Sequence, residues 1–337
     1  MMPQRLIAIL YLVFLLAIPF PAAAQTTASV TTQDALIQAM IQLIAILQEQ
    51  VRLLQAQLTL KTQTPQGTVI DANAIVYLTC QYEPKNTPGL NITTVCGTGV
   101  IVNPKGYILT ARHIIDPAWT VQSYPADANI SFYKDLAQGY VLKECMVAYP
   151  SVNRLPTPTE IRTLNPAVFV GEDKYVATTH FVPQTQNVST DEYQRLDFGI
   201  LRIDRAVSCT APGCAMPTTF PYTPVSASVL SGTPELVSYG YPRELGVSLR
   251  GGLKGAAGNL VKYYAGDDRF AQKPLLFEWS ATDSRKGRSG SPVFANGKMI
   301  GISIGAAEEN VTVNYGLALP AIQEILIENG LGNMIAP

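Results

Sequence analysis

Three hydrophobic patterns follow one another along the chain. Leu6 to Phe20 is almost wholly apolar and follows a short basic start, Met1 to Arg5. From about Thr32 to Lys61, Ile37, Met40, Ile44, Leu47, Val51, Leu54 and Leu58 recur at alternating spacings of three and four, the a/d seam of a coiled coil. From about Ala74 to the end, short apolar runs alternate with Gly, Pro and Asn turns, the pattern of an all-β barrel or sandwich. Thr62 to Asn73, with Pro65 and Gly67 among polar residues, reads as a linker into that third region.

Each pattern carries an expectation. Ala22-Ala23-Ala24 before Gln25 is a small-residue cleavage site, so residues 1–24 read as a signal peptide and the protein as secreted or periplasmic. A membrane contact is expected only if that segment stays uncleaved. In the 32–61 helix, branched Ile and Val at a with Leu at d favour a parallel dimer, while Leu36, Ile41 and Leu43 widen the apolar face toward higher orders. A homo-oligomer through residues 32–61 is the expectation; one amphipathic helix packed on the β region is the alternative.

Within the β region the candidate chemistry is narrow, because the chain has only two histidines. His113 follows two apolar runs, Gly99 to Val102 and Tyr107 to Leu109, joined by an Asn-Pro-Lys-Gly turn. That places its imidazole just past a strand end. His180 has polar neighbours and no such frame, and reads as an ordinary loop or edge-strand histidine. Asp197 heads another strand-like run, Phe198 to Ile203, where a carboxylate is partly buried and needs a partner. Ser289 sits in Gly287-Arg288-Ser289-Gly290-Ser291-Pro292. A serine hydroxyl is a poor nucleophile until a hydrogen-bonded base, itself oriented by an acid, takes its proton.

These segments resemble the trypsin-like serine proteases, and among them the bacterial branch that includes the HtrA and glutamyl endopeptidase enzymes. Thr110-Ala111-Arg112-His113 matches the family's histidine motif, Asp197-Phe198-Gly199-Ile200-Leu201 its aspartate motif, and Gly287 to Pro292 its nucleophile motif. Short motifs recur by chance, but here three stand in the family order. The resemblance covers roughly Ala74 to Leu331. It implies two antiparallel β-barrels, at about 74–205 and 225–320, joined by the Pro-rich Arg205 to Pro224, with Ala321 to Asn329 as a closing helix. It also implies a catalytic triad of His113, Asp197 and Ser289, with the backbone N–H groups of Gly287 and Ser289 as the oxyanion hole. Ser303 and Gly305 would pair with an extended peptide substrate. Asp283, six residues before Ser289, stands where trypsin-like enzymes place the acid of an Arg- or Lys-selecting pocket. A Thr-Asp pair opens the same loop in HtrA-like enzymes without that meaning, and Arg285, Lys286 and Arg288 could neutralise the carboxylate.

Departures from the family are informative. Digestive-type enzymes carry, where Arg288 stands, an aspartate that captures the N-terminus freed on zymogen cleavage, so that device is expected to be absent. HtrA-like enzymes carry a PDZ domain after the protease, and none is expected here. Ile114 replaces the usual half-cystine after the histidine, so the usual bridge to Cys96 cannot form. Cys80 and Cys96 flank a loop between two strand-like runs and are expected to bridge; Cys209 and Cys214 bracket a tight Thr-Ala-Pro-Gly turn and form a second candidate pair. Cys145 is left over. No cysteine has metal-ligand spacing with the histidines, and neither a metal nor another cofactor is expected.

The net charge of -1 gives no reason to expect a nucleic-acid partner. The function expected is an exported serine endopeptidase acting on proteins or peptides. The alternative is a protease-fold scaffold without activity. An α/β esterase would need its nucleophile between a strand and a helix and its histidine last, whereas here the histidine comes first.

Overall fold

The computed structural model describes residues 70–335 apart from 124, 126–129, 152–153, 164–169, 185–195, 208–215, 227–228, 243–251, 266–273, 282–286 and 308–309; before residue 70 it describes Ile37, Met40, Gln42, Leu43, Ile44, Leu47 and Gln48. Those seven are helical and exposed. The rest of the 32–61 seam, the signal segment and most of the linker lie outside the described residues. No helix among the described residues is long and apolar enough to cross a membrane.

Among the described residues, twelve strands form two closed antiparallel barrels of six. The first contains β1 (Ile75–Pro84), β2 (Thr93–Ile101), β3 (Tyr107–Thr110), β4 (Tyr140–Pro150), β5 (Val170–Phe181) and β6 (Gly199–Ala206). It closes in the order β1-β2-β3-β6-β5-β4. The second contains β7 (Glu235–Gly240), β8 (Lys254–Ala265), β9 (Pro274–Ser280), β10 (Pro292–Ala295), β11 (Lys298–Ala307) and β12 (Asn310–Ala318). It closes in the order β10-β11-β12-β9-β8-β7. Closure leaves no unpaired sheet edge, which is how a chain of short strands satisfies its backbone.

The stretch between histidine and aspartate holds more than a loop. Among the described residues it supplies β4 and β5 and adds three short helices, α1 (Pro117–Ser123), α2 (Ile130–Gly139) and α3 (Pro158–Thr163). α3 crosses to the second barrel: Ile161 lies against Gly255 on β8, and the hydroxyl of Tyr239 donates to the Pro156 carbonyl at 2.7 Å. The Pro-rich connector is also tied down, with Phe220 and Thr223 donating to the carbonyls of Pro104 and Ile101. α4 (Leu319–Glu328) follows β12 and buries Leu319, Ala321, Ile322, Ile325 and Leu326 in a core shared by both barrels. Tyr77 and Tyr241 meet edge-on in that core, and the Tyr241 hydroxyl donates to the Ile75 carbonyl at 2.9 Å.

The cysteines pair otherwise than expected. Cys80 is bridged to Cys145, and Cys96 is a free thiol. Register explains it. Cys80 lies opposite Cys145 on β4, while Cys96 on β2 lies opposite Thr79. Side chains alternate along a strand, so Cys80 points into the first barrel with Cys145 while Cys96 faces the core shared by the barrels. The candidate pair Cys209 and Cys214 lies outside the described residues. A buried disulfide fits an oxidising, extracellular or periplasmic setting.

Candidate active site

Strand register brings His113 and Asp197 together. β3 ends at Thr110, which pairs with Gly199 at the start of β6. His113 lies three residues beyond that pair and Asp197 two before it, so both project from the same end of the ladder. Asp197 is 0% exposed. Its carboxylate accepts twice from His113, the backbone N–H reaching Oδ1 at 3.0 Å and ring Nδ1 reaching Oδ2 at 2.8 Å. An ionised carboxylate can only accept, so Nδ1 carries the hydrogen and Nε2 of the neutral ring is left to accept a proton.

The turn that carries His113 is held from behind. Arg112 is buried; its Nε donates to Asp116 Oδ2 at 2.9 Å, its Nη1 to the Pro183 carbonyl at 2.8 Å, and its guanidinium lies over the Trp119 ring on α1. The Tyr82 hydroxyl, from β1, donates to the Ile114 carbonyl at 2.7 Å. Burial holds that phenol well above its usual pKa, so it stays a donor. Arg112, Asp116 and Tyr82 are supporting residues that the motif reading missed. His180, by contrast, is exposed on β5 and meets the Tyr107 ring edge-on.

Ser289 belongs to the loop entering β10, and that loop lies against the residues just before His113. A Cβ added to Gly290 would stand 2.1 Å from the Thr98 carbonyl oxygen, 2.6 Å from Thr110 Oγ1 and 3.0 Å from the Ala111 nitrogen. Only a glycine fits that approach, and its φ of 82° suits glycine as well. Thr98, on β2, is the hinge pin. Its N–H donates to the Ser289 carbonyl at 3.0 Å, its hydroxyl to the Gly287 carbonyl at 3.1 Å, and that hydroxyl also accepts from the Tyr241 N–H at 3.0 Å. Thr98 was not singled out in the sequence; its one signal there is a threonine between two glycines. Among the described residues no hydrogen bond joins the Ser289 hydroxyl to His113. Such contacts commonly tighten only when substrate arrives.

On the far side of the loop Ser303 reaches it through backbone, donating to the Ser291 carbonyl and accepting from the Gly290 N–H, each at 2.8 Å. Gly305, two residues on along β11, faces open space. Asp283, the pocket candidate, lies outside the described residues, as do Ser284, Arg285 and Lys286.

Compared with known families, residues 97–302 match the one described as the trypsin-like peptidase domain. The chain belongs to the trypsin-like peptidase family. The matched span contains His113, Asp197 and Ser289. Among solved structures, the peptidase domain is similar to the Rv3671c protease of M. tuberculosis. An inactive mutant form is 15% identical, with a TM-score of 0.41 over 77% of this chain and 88% of that one. The active form is 14% identical, with a TM-score of 0.43 over 77% of this chain and 82% of that one. No curated protein matches the chain.

Proposed function

We propose that the protein is an exported serine endopeptidase that cuts proteins or peptides through an acyl-enzyme intermediate. The observation that carries this is the pair of hydrogen bonds from His113 to a fully buried Asp197, beside a glycine-hinged loop presenting Ser289. A carboxylate that holds an imidazole in one tautomer, with Nε2 unprotonated, supports the role of a general base. In this reading Ser289 attacks the scissile carbonyl as His113 Nε2 takes its proton. The C–N bond then breaks as His113 returns that proton to the leaving amine. Water, activated by the same base, releases the acid product. The N–H groups of Gly287 and Ser289 would receive the developing oxyanion, and β11 from Ser303 to Gly305 would pair with the substrate backbone. Residues 1–24 would direct export.

The test is labelling by a fluorophosphonate probe in the full chain and in Ser289→Ala. Covalent labelling of the wild type alone is expected. Labelling that is absent, or that persists in Ser289→Ala, overturns the reading; absence favours a scaffold with the same fold. The exposed apolar residues Ile37, Met40, Ile44 and Leu47 at a/d spacing support self-association through residues 32–61. Sedimentation with and without residues 25–64 should show an oligomer lost on truncation, and an unchanged monomer would refute it.

A further inference from the structure

Arg288 stands between the two residues whose N–H groups are assigned to the oxyanion, yet its side chain turns inward and is 5% exposed. Its Nη1 donates to the Lys254 carbonyl and its Nη2 to the Ser238 carbonyl, each at 3.2 Å. Those carbonyls belong to neighbouring strands, β8 and β7, whose register pairs Lys254 with Gly240 and Ser238 with Ala256. A guanidinium is costly to bury unless its donors are used, and two strands' carbonyls use the two arms of its planar fork. From the opposite side, Thr98 holds the Gly287 and Ser289 carbonyls. Three consecutive residues are thus gripped alternately by the first barrel, the second and the first again. Without such a grip the segment is free to turn, since Gly287 at φ 95° and Gly290 at φ 82° bracket it.

We propose that Arg288 is a positioning residue which, with Thr98, clamps the nucleophile loop in its working conformation as soon as the chain folds. The oxyanion site is then built without any cleavage of the chain. This rests on the serine-peptidase reading, and its action on the reaction is indirect, through the N–H groups on either side. Lysine, with a single ammonium, cannot span both carbonyls with the same geometry.

The test compares wild type, Arg288→Met, Arg288→Lys and Arg288→Ala in the full chain. Three readouts are taken: the fluorophosphonate labelling rate, kcat and KM on an ester substrate, and hydrogen exchange of the 287–291 amides. Circular dichroism and thermal melting set the folded fraction. Arg288→Met is expected to keep its β signal but to label about 100-fold more slowly, the scale of loss that misplacement of a reacting group brings. The loss should fall on kcat with KM within about threefold, because a loosened oxyanion site weakens the transition state and not the ground state. Loop amides should exchange faster, Arg288→Lys should be intermediate, and millimolar guanidinium, but not sodium at the same strength, should partly rescue Arg288→Ala.

A Met variant that folds and labels at the wild-type rate overturns the clamp. If it does not fold, Arg288→Lys takes its place, expected at least about tenfold slower, and a wild-type rate there overturns the clamp equally. Intact wild type should label without a lag; a lag abolished by trace proteolysis argues against the proposal. If wild type shows no Ser289-dependent labelling, the peptidase reading fails by itself. Hydrogen exchange then decides the clamp alone, faster loop exchange in Arg288→Met upholding it and unchanged exchange refuting it.

Discussion

The two barrels hold their parts of the site in different ways. The first presents His113 and Asp197 from the ends of paired strands, where register alone makes them neighbours. The second presents Ser289 on a loop between glycines, placed by Thr98 from the other barrel and by the side chain of Arg288. The His113–Asp197 pair is therefore a property of one barrel's ladder, whereas the position of Ser289 is a property of the contact between barrels. Damage to the first barrel and damage to the interface should accordingly have separable signatures. The chain supplies a reporter for each side, since its two tryptophans are Trp119, on α1 beside Arg112, and Trp279, inside the second barrel.

The largest effect expected is from Asp197→Asn. The amide oxygen can still accept from the His113 N–H, but its NH₂ then faces Nδ1 and drives the ring to the wrong tautomer. A fall in kcat of about 10⁴-fold is expected, with little change in melting. An equal loss of stability and activity would show that Asp197 is a structural partner, and the contrast between ladder and loop would lose its first term. Next comes the double variant Cys80→Ala with Cys145→Ala. It opens a link spanning 65 residues, and about 2–4 kcal/mol of stability should go with it. Followed by fluorescence in a Trp279→Phe background and again in a Trp119→Phe background, the loss should register first at Trp119. Simultaneous loss at both would mean that the barrels unfold as one unit.

The parts of this arrangement that were legible in the chain are those carried by local pattern. Two barrels, the Asn-Pro-Lys-Gly turn and the closing helix follow from alternation, turn residues and family motifs. The disulfide was misread because sequence proximity favoured Cys80 with Cys96, while pairing in a barrel is set by register and face, which need β4 to be placed beside β1. Thr98 and the inward course of Arg288 were invisible for a related reason: their partners lie in the other barrel or on strands far along the chain. α3, by contrast, is signalled locally. Thr157-Pro158-Thr159-Glu160 is a capping box with proline at the first helical position, and the Thr157 N–H and Glu160 carboxylate do meet at 2.8 Å.

Thr98→Val tests the interface term of the comparison. It keeps the shape of the side chain and removes one hydroxyl, leaving the buried Tyr241 N–H without its acceptor and the Gly287 carbonyl without its donor. A loss of about 1–3 kcal/mol is expected, with labelling of Ser289 slowed and Thr98→Ser close to wild type. The His113 frame should be untouched, so the Trp119 environment should not change. A shift at Trp119 as large as that at Trp279 would mean that Thr98 supports the ladder as well as the loop.

The smallest effect expected concerns α3, a helix that the first barrel's chain sends across to the second. Hydrogen bonding from Arg154 holds the Glu160 carboxyl down at about 2, against an ordinary 4.5, aided by the Thr157 N–H and hydroxyl and opposed by modest burial. A depressed acid contributes stability that is fully present above the unfolded value, near 4.5, and is lost as the pH falls through the folded value, near 2. Because the Arg154 and Glu160 side chains are 56% and 36% exposed, water and salt screen the pair, and at most about 1 kcal/mol is expected. The measurement is the difference in urea stability between wild type and Glu160→Gln from pH 6 to pH 2. That difference should be constant down to about pH 5 and shrink toward zero below it. Since Ile161 packs on β8, the unfolding of α3 should disturb Trp279 before Trp119. A flat difference across the pH range would mean that the ion pair plays no part in holding α3 against the second barrel, leaving that role to Ile161 and the Tyr239 hydrogen bond.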